Sequence, residues 1–200
     1  MSDESNQLEL EGSERGAGEP AERELDPELA ARRTAALAQV RKFGDPVLRT
    51  RAQPVQRFDQ ALRFEVQRMG QLMSDALGVG LAATQMGVLH RVLVYRVQPQ
   101  AAVAALINPE IEWRGADEEV AQEGCLSLPE VLVEVERPIH VRVRALGVDG
   151  EPILVEASGL PARVIQHELD HLDGVLILDR TTREQRKGAM RALREGLQAA

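Results

Sequence analysis

The strongest constraint in this sequence is the segment QHELDHLDG, residues 166–174, in which two histidines lie four residues apart. Side chains at positions i and i+4 share one face of an α-helix. His167 and His171 can therefore both reach one divalent metal ion. Glu168 follows the first histidine and lies close enough to handle the protons of a water that such a metal binds. The pattern predicts a helix that carries the residues of metal-assisted hydrolysis.

A catalytic metal of this kind needs a third protein ligand, and the sequence leaves two kinds open. The position six residues after the second histidine is Ile177, which excludes the three-histidine class. The downstream carboxylates Glu184 and Glu195 each lie among arginines on a predicted surface helix. Cys125, in the segment 123–129, is favoured because a thiolate beside a divalent cation has a depressed pKa and binds strongly. A lone cysteine is otherwise typical of a small buried hydrophobic residue.

The composition predicts one sizeable core built without many aromatic side chains. The 200 residues are 44% hydrophobic but only 2% aromatic, so Leu, Val, Ile, Ala and Met must form the core. Neither a charged-then-apolar leader nor an apolar run of about 18 residues is found. One cysteine excludes an internal disulfide and suits a reducing compartment. We therefore expect an unexported, cytoplasmic protein without a membrane segment.

The net charge of −8 is concentrated at the N-terminus. Residues 1–30 hold ten acidic and two basic side chains, which accounts for the whole imbalance. The rest is balanced, so no specific nucleic-acid site is indicated. We expect residues 1–26 to be an acidic, disordered extension, either simply solvated or binding a partner. Residues 27–200 are expected to form a single catalytic domain.

Periodicity predicts a mixture of helices and strands. Helices are predicted over 27–42, over a long segment after an N-cap at Asp59, and over 182–199. Strands are predicted over 91–97, 105–113, 131–135, 139–145 and 152–156. We also expect 46–50 to be extended, and 175–178 to form a short strand or buried connector.

Two glycines flank Val79 just before the segment LAATQ, residues 81–85. Such a pair allows either a close backbone approach or a positive φ, although a helix end that leads into a strand explains it equally well. A dinucleotide-binding fingerprint is excluded because Ala83 stands where the third glycine is needed.

Three motifs together resemble the signature set of the peptide deformylase family, over roughly residues 40–180. They are GVGLAATQ (78–85), EGCLS (123–127) and HELDH (167–171). The elements and this resemblance imply an α+β fold in which mostly antiparallel strands pack around a central HExxH helix. A long helix lies in the N-terminal half, and another helix ends the chain.

The resemblance also implies roles for individual residues. The metal ligands are Cys125, His167 and His171, and the metal is one divalent ion, most often Fe(II), with Zn(II), Ni(II) or Co(II) able to take its place. Glu168 is the proton carrier, while the Gln85 side-chain amide and the Leu126 N–H stabilise the oxyanion. The substrate-binding residues are Val79, Gly80, Glu123 and Gly124. Leu160 and Val164 help to line the pocket for methionine.

The implied reaction is hydrolysis of the formyl group from the formyl-methionine that begins a nascent polypeptide, with release of formate. Some family members carry an arginine shortly after EGCLS, where this chain has VLV at 131–133, which leaves contacts to later substrate residues open. The basic C-terminal helix implies a ribosome contact, with a solvated helix as the alternative. A general metallopeptidase and a non-catalytic binding module are the competing hypotheses.

Overall fold

Across residues 26–199, which a computed structural model describes, the chain forms two antiparallel β-sheets and five α-helices. The helices are α1 (Pro27–Leu37), α2 (Gln60–Asp75), α3 (Leu160–Leu172), α4 (Ile177–Arg180) and α5 (Arg183–Ala199). The strands are β1 (Gly80–Ala82), β2 (Val92–Tyr95), β3 (Ala104–Arg114), β4 (Glu118–Cys125), β5 (Leu128–Pro138), β6 (His140–Leu146) and β7 (Pro152–Ser158). The predicted α+β fold is confirmed. Within this range, none of the helices has the length and apolar character needed to cross a bilayer.

The larger sheet has the order β1-β2-β3-β6-β7 and is covered by helices on both faces. Val92 and Val94 of β2 belong to the apolar cluster that includes α2, whereas Leu93 belongs to the cluster that includes α3. Burial on both faces explains why β2 is a continuous apolar run, since both alternating sets of side chains leave water.

Helix α2 begins as its sequence predicts. The Asp59 side chain accepts hydrogen bonds from the backbone N–H groups of Ala61 (3.0 Å) and Leu62 (3.3 Å), which satisfies two free donors of the first turn. Its predicted apolar face points inward, with Met69 and Met73 fully buried.

Helix α3 is buried around its whole circumference from Ala162 to Leu172. One side packs on the larger sheet, and the other packs on β5 of the smaller sheet. Its polar side chains are shielded from water, so a polar atom that is left without a partner on this helix is costly.

The smaller sheet is the β4–β5 hairpin, inserted between β3 and β6. Its inner face packs on α4 and α5 in a third apolar cluster. The pairing shifts register between Gly124 and Cys125, so that Cys125 pairs with Leu128 at the tip. The sequence pattern missed β4 because an apolar residue, Val120, faces outward while a charged one, Glu123, faces inward, so the strand gives no apolar alternation.

Three local expectations need correction. Residues 46–50, predicted to be extended, contain a 3₁₀ helix over Pro46–Arg49, because Asp45 accepts a hydrogen bond from Val47 N (3.0 Å) and caps it. Residues 175–178 form no strand. They lead into α4, where Asp179 accepts a hydrogen bond from Leu176 N (2.9 Å), although the expected burial of this connector is correct.

The predicted first helix is shorter than expected and ends at Leu37 instead of residue 42. The predicted extension, residues 1–26, lies outside the described residues except for Asp26. The Asp26 side chain accepts hydrogen bonds from Glu28 N and Leu29 N and is the N-cap of α1. The expectation of a single catalytic domain over 27–200 stays a prediction.

We predict that Asn108 fastens the 53–55 segment to β3. Its Oδ1 accepts from Val55 N (2.8 Å), its Nδ2 donates to Val55 O (2.9 Å), and its φ of 53° is left-handed. Asn108→Gly should lower the free energy of unfolding by about 2 kcal/mol, about 1 for each lost bond. Asn108→Ala should lose roughly 1 more, because alanine resists this conformation. Equal stability of the two variants in urea unfolding would contradict the role of φ.

Candidate active site and metal centre

The two histidines of α3 and the cysteine at the hairpin tip converge on one point. One ligand atom from each of Cys125, His167 and His171 lies within 4.8 Å of the other two. Cys125 Sγ and His171 Nε2 are 3.2 Å apart. The helix places the imidazoles on successive turns with ring centroids 5.0 Å apart. The structure thus brings Cys125 to the histidines, whereas Glu184 and Glu195 are exposed on α5.

This donor set fits a divalent metal. One thiolate and two imidazoles are ligands that zinc and iron share. His167 Nδ1 is 3.0 Å from Glu123 Oε2, an arrangement in which a carboxylate fixes the ring and leaves Nε2 toward the cluster. His171 Nδ1 is buried and has no hydrogen-bond partner among the described residues.

The cluster also favours the thiolate that a metal requires. Burial alone would raise the pKa of Cys125, but the charge of His171 and the hydrogen bond with His167 outweigh it and hold the pKa well below its ordinary value. Ser127 N also donates to Cys125 Sγ at 3.4 Å. A sulfur already stabilised as an anion binds a cation without first losing a proton.

Glu168 lies beside the cluster, 4% exposed, and its Oε2 has no hydrogen-bond partner among the described residues. Burial raises the pKa of Glu168 above its usual value, although the charges of His167 and His171 oppose the shift. A carboxyl group with a raised pKa is suited to accept and return a proton near neutral pH.

Gly80 makes room for that carboxylate. A Cβ on Gly80 would overlap Glu168 Oε1, so no larger residue fits without displacing it. The left-handed turn that leads into β1 is taken by Leu77 (φ 58°), and Gly80 does not have a positive φ. Of the two reasons expected for the glycine pair, close backbone approach is the one that applies at Gly80.

The Gln85 side chain is buried and has a fixed orientation. Its Oε1 accepts from Ala82 N (2.9 Å), and its Nε2 donates to Ser127 Oγ (3.1 Å) and lies 3.8 Å from Cys125 Sγ. The amide N–H groups therefore point toward the cluster. Leu126, the second predicted oxyanion donor, follows Cys125 at the hairpin tip and lies between the two residues that Gln85 Nε2 contacts.

A cavity of about 700 Å³ opens over these groups. All the predicted site residues line it except His171, which is 1% exposed and lies beneath. Four exposed apolar side chains stand around it: Leu77, Val79, Leu132 and Leu160. Strand β1 forms one wall and is an edge strand that pairs only with β2 in its sheet.

A buried ion-pair network supports the centre from behind. Arg137 donates to Glu123 Oε1 (2.6 Å) and Oε2 (2.9 Å) and to Asp170 Oδ2 (2.9 Å), and Arg163 donates to Glu123 Oε1 (2.9 Å). Burial would raise the pKa of Glu123, but the hydrogen bonds from His167 and Arg137 lower it to about 2. Both oxygens of the Glu123 carboxylate thus have hydrogen-bond partners within the protein. A substrate contact at this residue would therefore involve its backbone.

Comparison with known proteins places the chain among the enzymes that its motifs resemble. The family model "Polypeptide deformylase" matches residues 37–187. The chain belongs to this family. A peptide deformylase of Thermotoga neapolitana is 52% identical over 141 residues, 70% of this chain and 85% of that protein. One of Acidothermus cellulolyticus is 48% identical over 160 residues, 80% and 87% of the two chains.

Solved structures of peptide deformylases are also similar to this chain. A peptide deformylase from Synechococcus elongatus, in complex with actinonin, has a TM-score of 0.74 at 43% identity, covering 76% of this chain and 85% of that chain. The enzyme from Thermotoga maritima has a TM-score of 0.69 at 48% identity, covering 72% and 96%. The resemblance drawn from the three motifs is confirmed, and with it the metal-dependent hydrolase class to which this deformylase family belongs.

Neither Arg137 nor Arg163 belongs to a sequence motif, yet the position of each in its element is a signal of burial. The alternation of inward residues on β5 continues past Val135 and makes Arg137 the next inward side chain. Arg163 lies four residues before His167, on the same face of α3. Charged residues at positions that a pattern assigns to the interior indicate a buried network.

We predict that Arg137 is essential to the stability of this deformylase fold. Arg137→Met leaves the buried carboxylates of Glu123 and Asp170 without their shared cation and should cost about 3–5 kcal/mol in urea unfolding. The matched control is Arg142→Met, which removes an exposed ion pair with Glu156 and should cost no more than about 1 kcal/mol. Similar losses in both variants would show that burial of the network does not matter.

Proposed function

We propose that this chain hydrolyses the formyl group from the N-terminal formyl-methionine of newly synthesised polypeptides and releases formate. The observation that carries the proposal is the convergence of Cys125, His167 and His171 beside Glu168, in a chain of the polypeptide deformylase family.

The substrate backbone is proposed to lie along the free edge of β1. An extended peptide can add to such an edge through main-chain hydrogen bonds. Val79 and Gly80 supply that edge, and the backbone at Glu123 and Gly124 forms the facing wall. Leu160 and Val164 offer an apolar slot, which is what an uncharged, flexible methionine side chain needs.

Glu168 is proposed to take a proton from the attacking water and to give one to the departing amine. Its burial and raised pKa support this exchange, because the carboxyl can hold a proton between the two steps. Gly80 keeps the carboxylate close to the substrate edge.

Gln85 and Leu126 are proposed to stabilise the oxyanion that forms at the formyl carbon. The Gln85 amide is already oriented by Ala82 N and Ser127 Oγ, so it needs no rearrangement when charge develops. Preorganised donors of this kind are among the largest contributors to catalysis.

Cys125, His167 and His171 are proposed to hold one divalent metal, Fe(II) in the cell, with Zn(II), Ni(II) or Co(II) able to replace it. When bound, such an ion supplies Lewis acidity, which lowers the pKa of water and polarises a carbonyl group. The protein's contribution is to fix the ligands and to keep Glu168 and Gln85 at the sides of the site.

A cytoplasmic location follows from the proposed substrate, because bacterial-type formylated chains emerge where translation takes place. Helix α5 has exposed basic residues, namely Arg183, Arg186, Lys187, Arg191 and Arg194. We propose that this face contacts the ribosome, whose RNA attracts positive charge. A merely solvated helix is the alternative.

We expect Cys125→Ala to lose both metal and activity, because it removes one of three ligands. Metal content after gel filtration and formate release from a formyl-methionyl peptide should both fall to background under anaerobic Fe(II) loading. The unformylated peptide, tested beside it, reveals any general peptidase activity. Full activity with bound metal in this variant would rule out the assigned ligand set.

Glu168→Gln should keep the metal but lower kcat by about 10²–10⁴, because only the proton carrier is lost. Glu184→Gln is the matched control, since its carboxylate is exposed on α5 and should leave turnover unchanged. Fast turnover by Glu168→Gln would assign proton transfer to another group. Loss of metal in Glu184→Gln would instead favour the metallopeptidase alternative.

A further inference from the structure

The segment 41–43, between α1 and the 3₁₀ helix, contacts the backbone behind both sides of the active site. Arg41 N donates to Gln85 O (2.7 Å), and Phe43 N donates to Ser127 O (2.8 Å). Between them, Lys42 Nζ donates to Leu126 O (2.9 Å). Three consecutive residues thus hold the two motifs that supply the oxyanion donors.

One peptide group links the hydrogen bond from Lys42 to a second hydrogen bond, which reaches the sulfur of Cys125. The carbonyl of Leu126 and the N–H of Ser127 belong to the same peptide unit, and that N–H donates to Cys125 Sγ at 3.4 Å. A cation on the carbonyl polarises the peptide and makes its N–H a stronger donor, because linked hydrogen bonds strengthen one another.

The residue type at position 42 suits this role. The chain has only two lysines, Lys42 and Lys187, against 22 arginines, so a basic residue is rarely lysine here. A compact ammonium can direct its charge at one carbonyl, whereas the planar guanidinium is adapted to paired acceptors. Lys42 lines the cavity and has no carboxylate partner within residues 26–199. Partial burial lowers the pKa of Lys42, and the charge of Cys125 opposes that shift, so the two groups are electrostatically coupled.

We propose that Lys42 is a positioning residue for the thiolate of Cys125, acting through the 126–127 peptide. Its ammonium holds the hairpin tip and strengthens the Ser127 N–H bond to sulfur, which draws negative charge from the thiolate. A less donating thiolate leaves a bound metal more electrophilic. Hydrogen bonds to coordinating sulfur are a known means by which proteins tune metal centres. The inference rests on the proposed ligation of metal by Cys125.

The experiment uses the full-length protein loaded with Co(II), whose thiolate charge-transfer absorption reports on the sulfur. Lys42→Met should move that band to longer wavelength, because the sulfur electrons are less stabilised. The value of kcat should fall by about tenfold, with KM nearly constant, because the bound metal becomes less electrophilic. Lys42→Arg keeps the charge without the compact ammonium and should therefore show a smaller shift than Lys42→Met. Lys187→Met, at a remote lysine, should leave the wild-type band in place.

The outcomes separate this inference from the proposed function. If the wild-type protein shows no thiolate band, Cys125 is not a ligand and both fail. If the wild-type band is present but does not move in metal-loaded Lys42→Met, only the role of Lys42 is overturned. A higher KM with an unmoved band would make Lys42 a substrate contact instead.

Acetylation offers a second route if Lys42→Met does not fold. In folded Lys187→Arg protein, Lys42 is the only lysine that can be neutralised. The double variant Lys42→Arg, Lys187→Arg has no lysine and corrects for acetylation of the N-terminal amine. A band shift in the first protein but not in the second supports the proposal, and equal spectra overturn it.

Discussion

The buried carboxylate of Glu123 joins the two halves of the active site. It lies on β4 of a two-stranded hairpin, which would be marginally stable alone. It contacts His167 and Arg163 of α3 and Arg137 of β5. Removing this charge from water is costly, and the cost is offset only because each carboxylate oxygen has a cationic or ring N–H partner. The hairpin is thereby held against the helix that carries the histidines.

The same strand supplies Cys125, a proposed metal ligand, and the carboxylate that orients His167, another proposed ligand. Glu123 and Cys125 are two residues apart on β4, so their side chains share one face of the hairpin. One orients the His167 ring, while the other completes the donor cluster. A change that loosens β4 therefore alters three things together. These are the packing of the hairpin, the ion pairs of Glu123 and the positions of the donor atoms.

The sequence was most informative where a chemical requirement restricts residue type at a fixed spacing. His167 and His171 were found by helical periodicity, and Cys125 by the absence of a better third ligand and by the surrounding motif. Strand β4 was missed because Glu123 occupies an inward position that patterns reserve for apolar residues. The helix at 177–180 was missed because no capping residue precedes it. Its first turn is instead stabilised by Asp179, a residue of the helix itself, whose side chain accepts a hydrogen bond from Leu176 N. Tertiary contacts determine the inward position of Glu123, and a local pattern does not record them, whereas the cap of α4 is a local contact between residues three apart.

The roles of Arg137 and Lys42 illustrate a different limit. Both act on residues more than ten positions away in sequence, through contacts that only the folded chain creates. The scarcity of lysine draws notice to Lys42, and the alternation of β5 to Arg137, but neither signal identifies the partner of the side chain. Their burial and their partners are what distinguish them from the exposed arginines of α5.

Because β4 pairs with β5 in a fixed register, it matters whether an insertion into β4 has an odd or an even number of residues. Successive residues of a strand face opposite sides, so one residue inserted between Glu118 and Glu123 would turn Glu123 and Cys125 outward together. Two inserted residues would restore both to the inner face. Evolution or engineering can therefore lengthen this hairpin in even steps while preserving the donor cluster, whereas an odd step removes the proposed ligand Cys125 and its support at once.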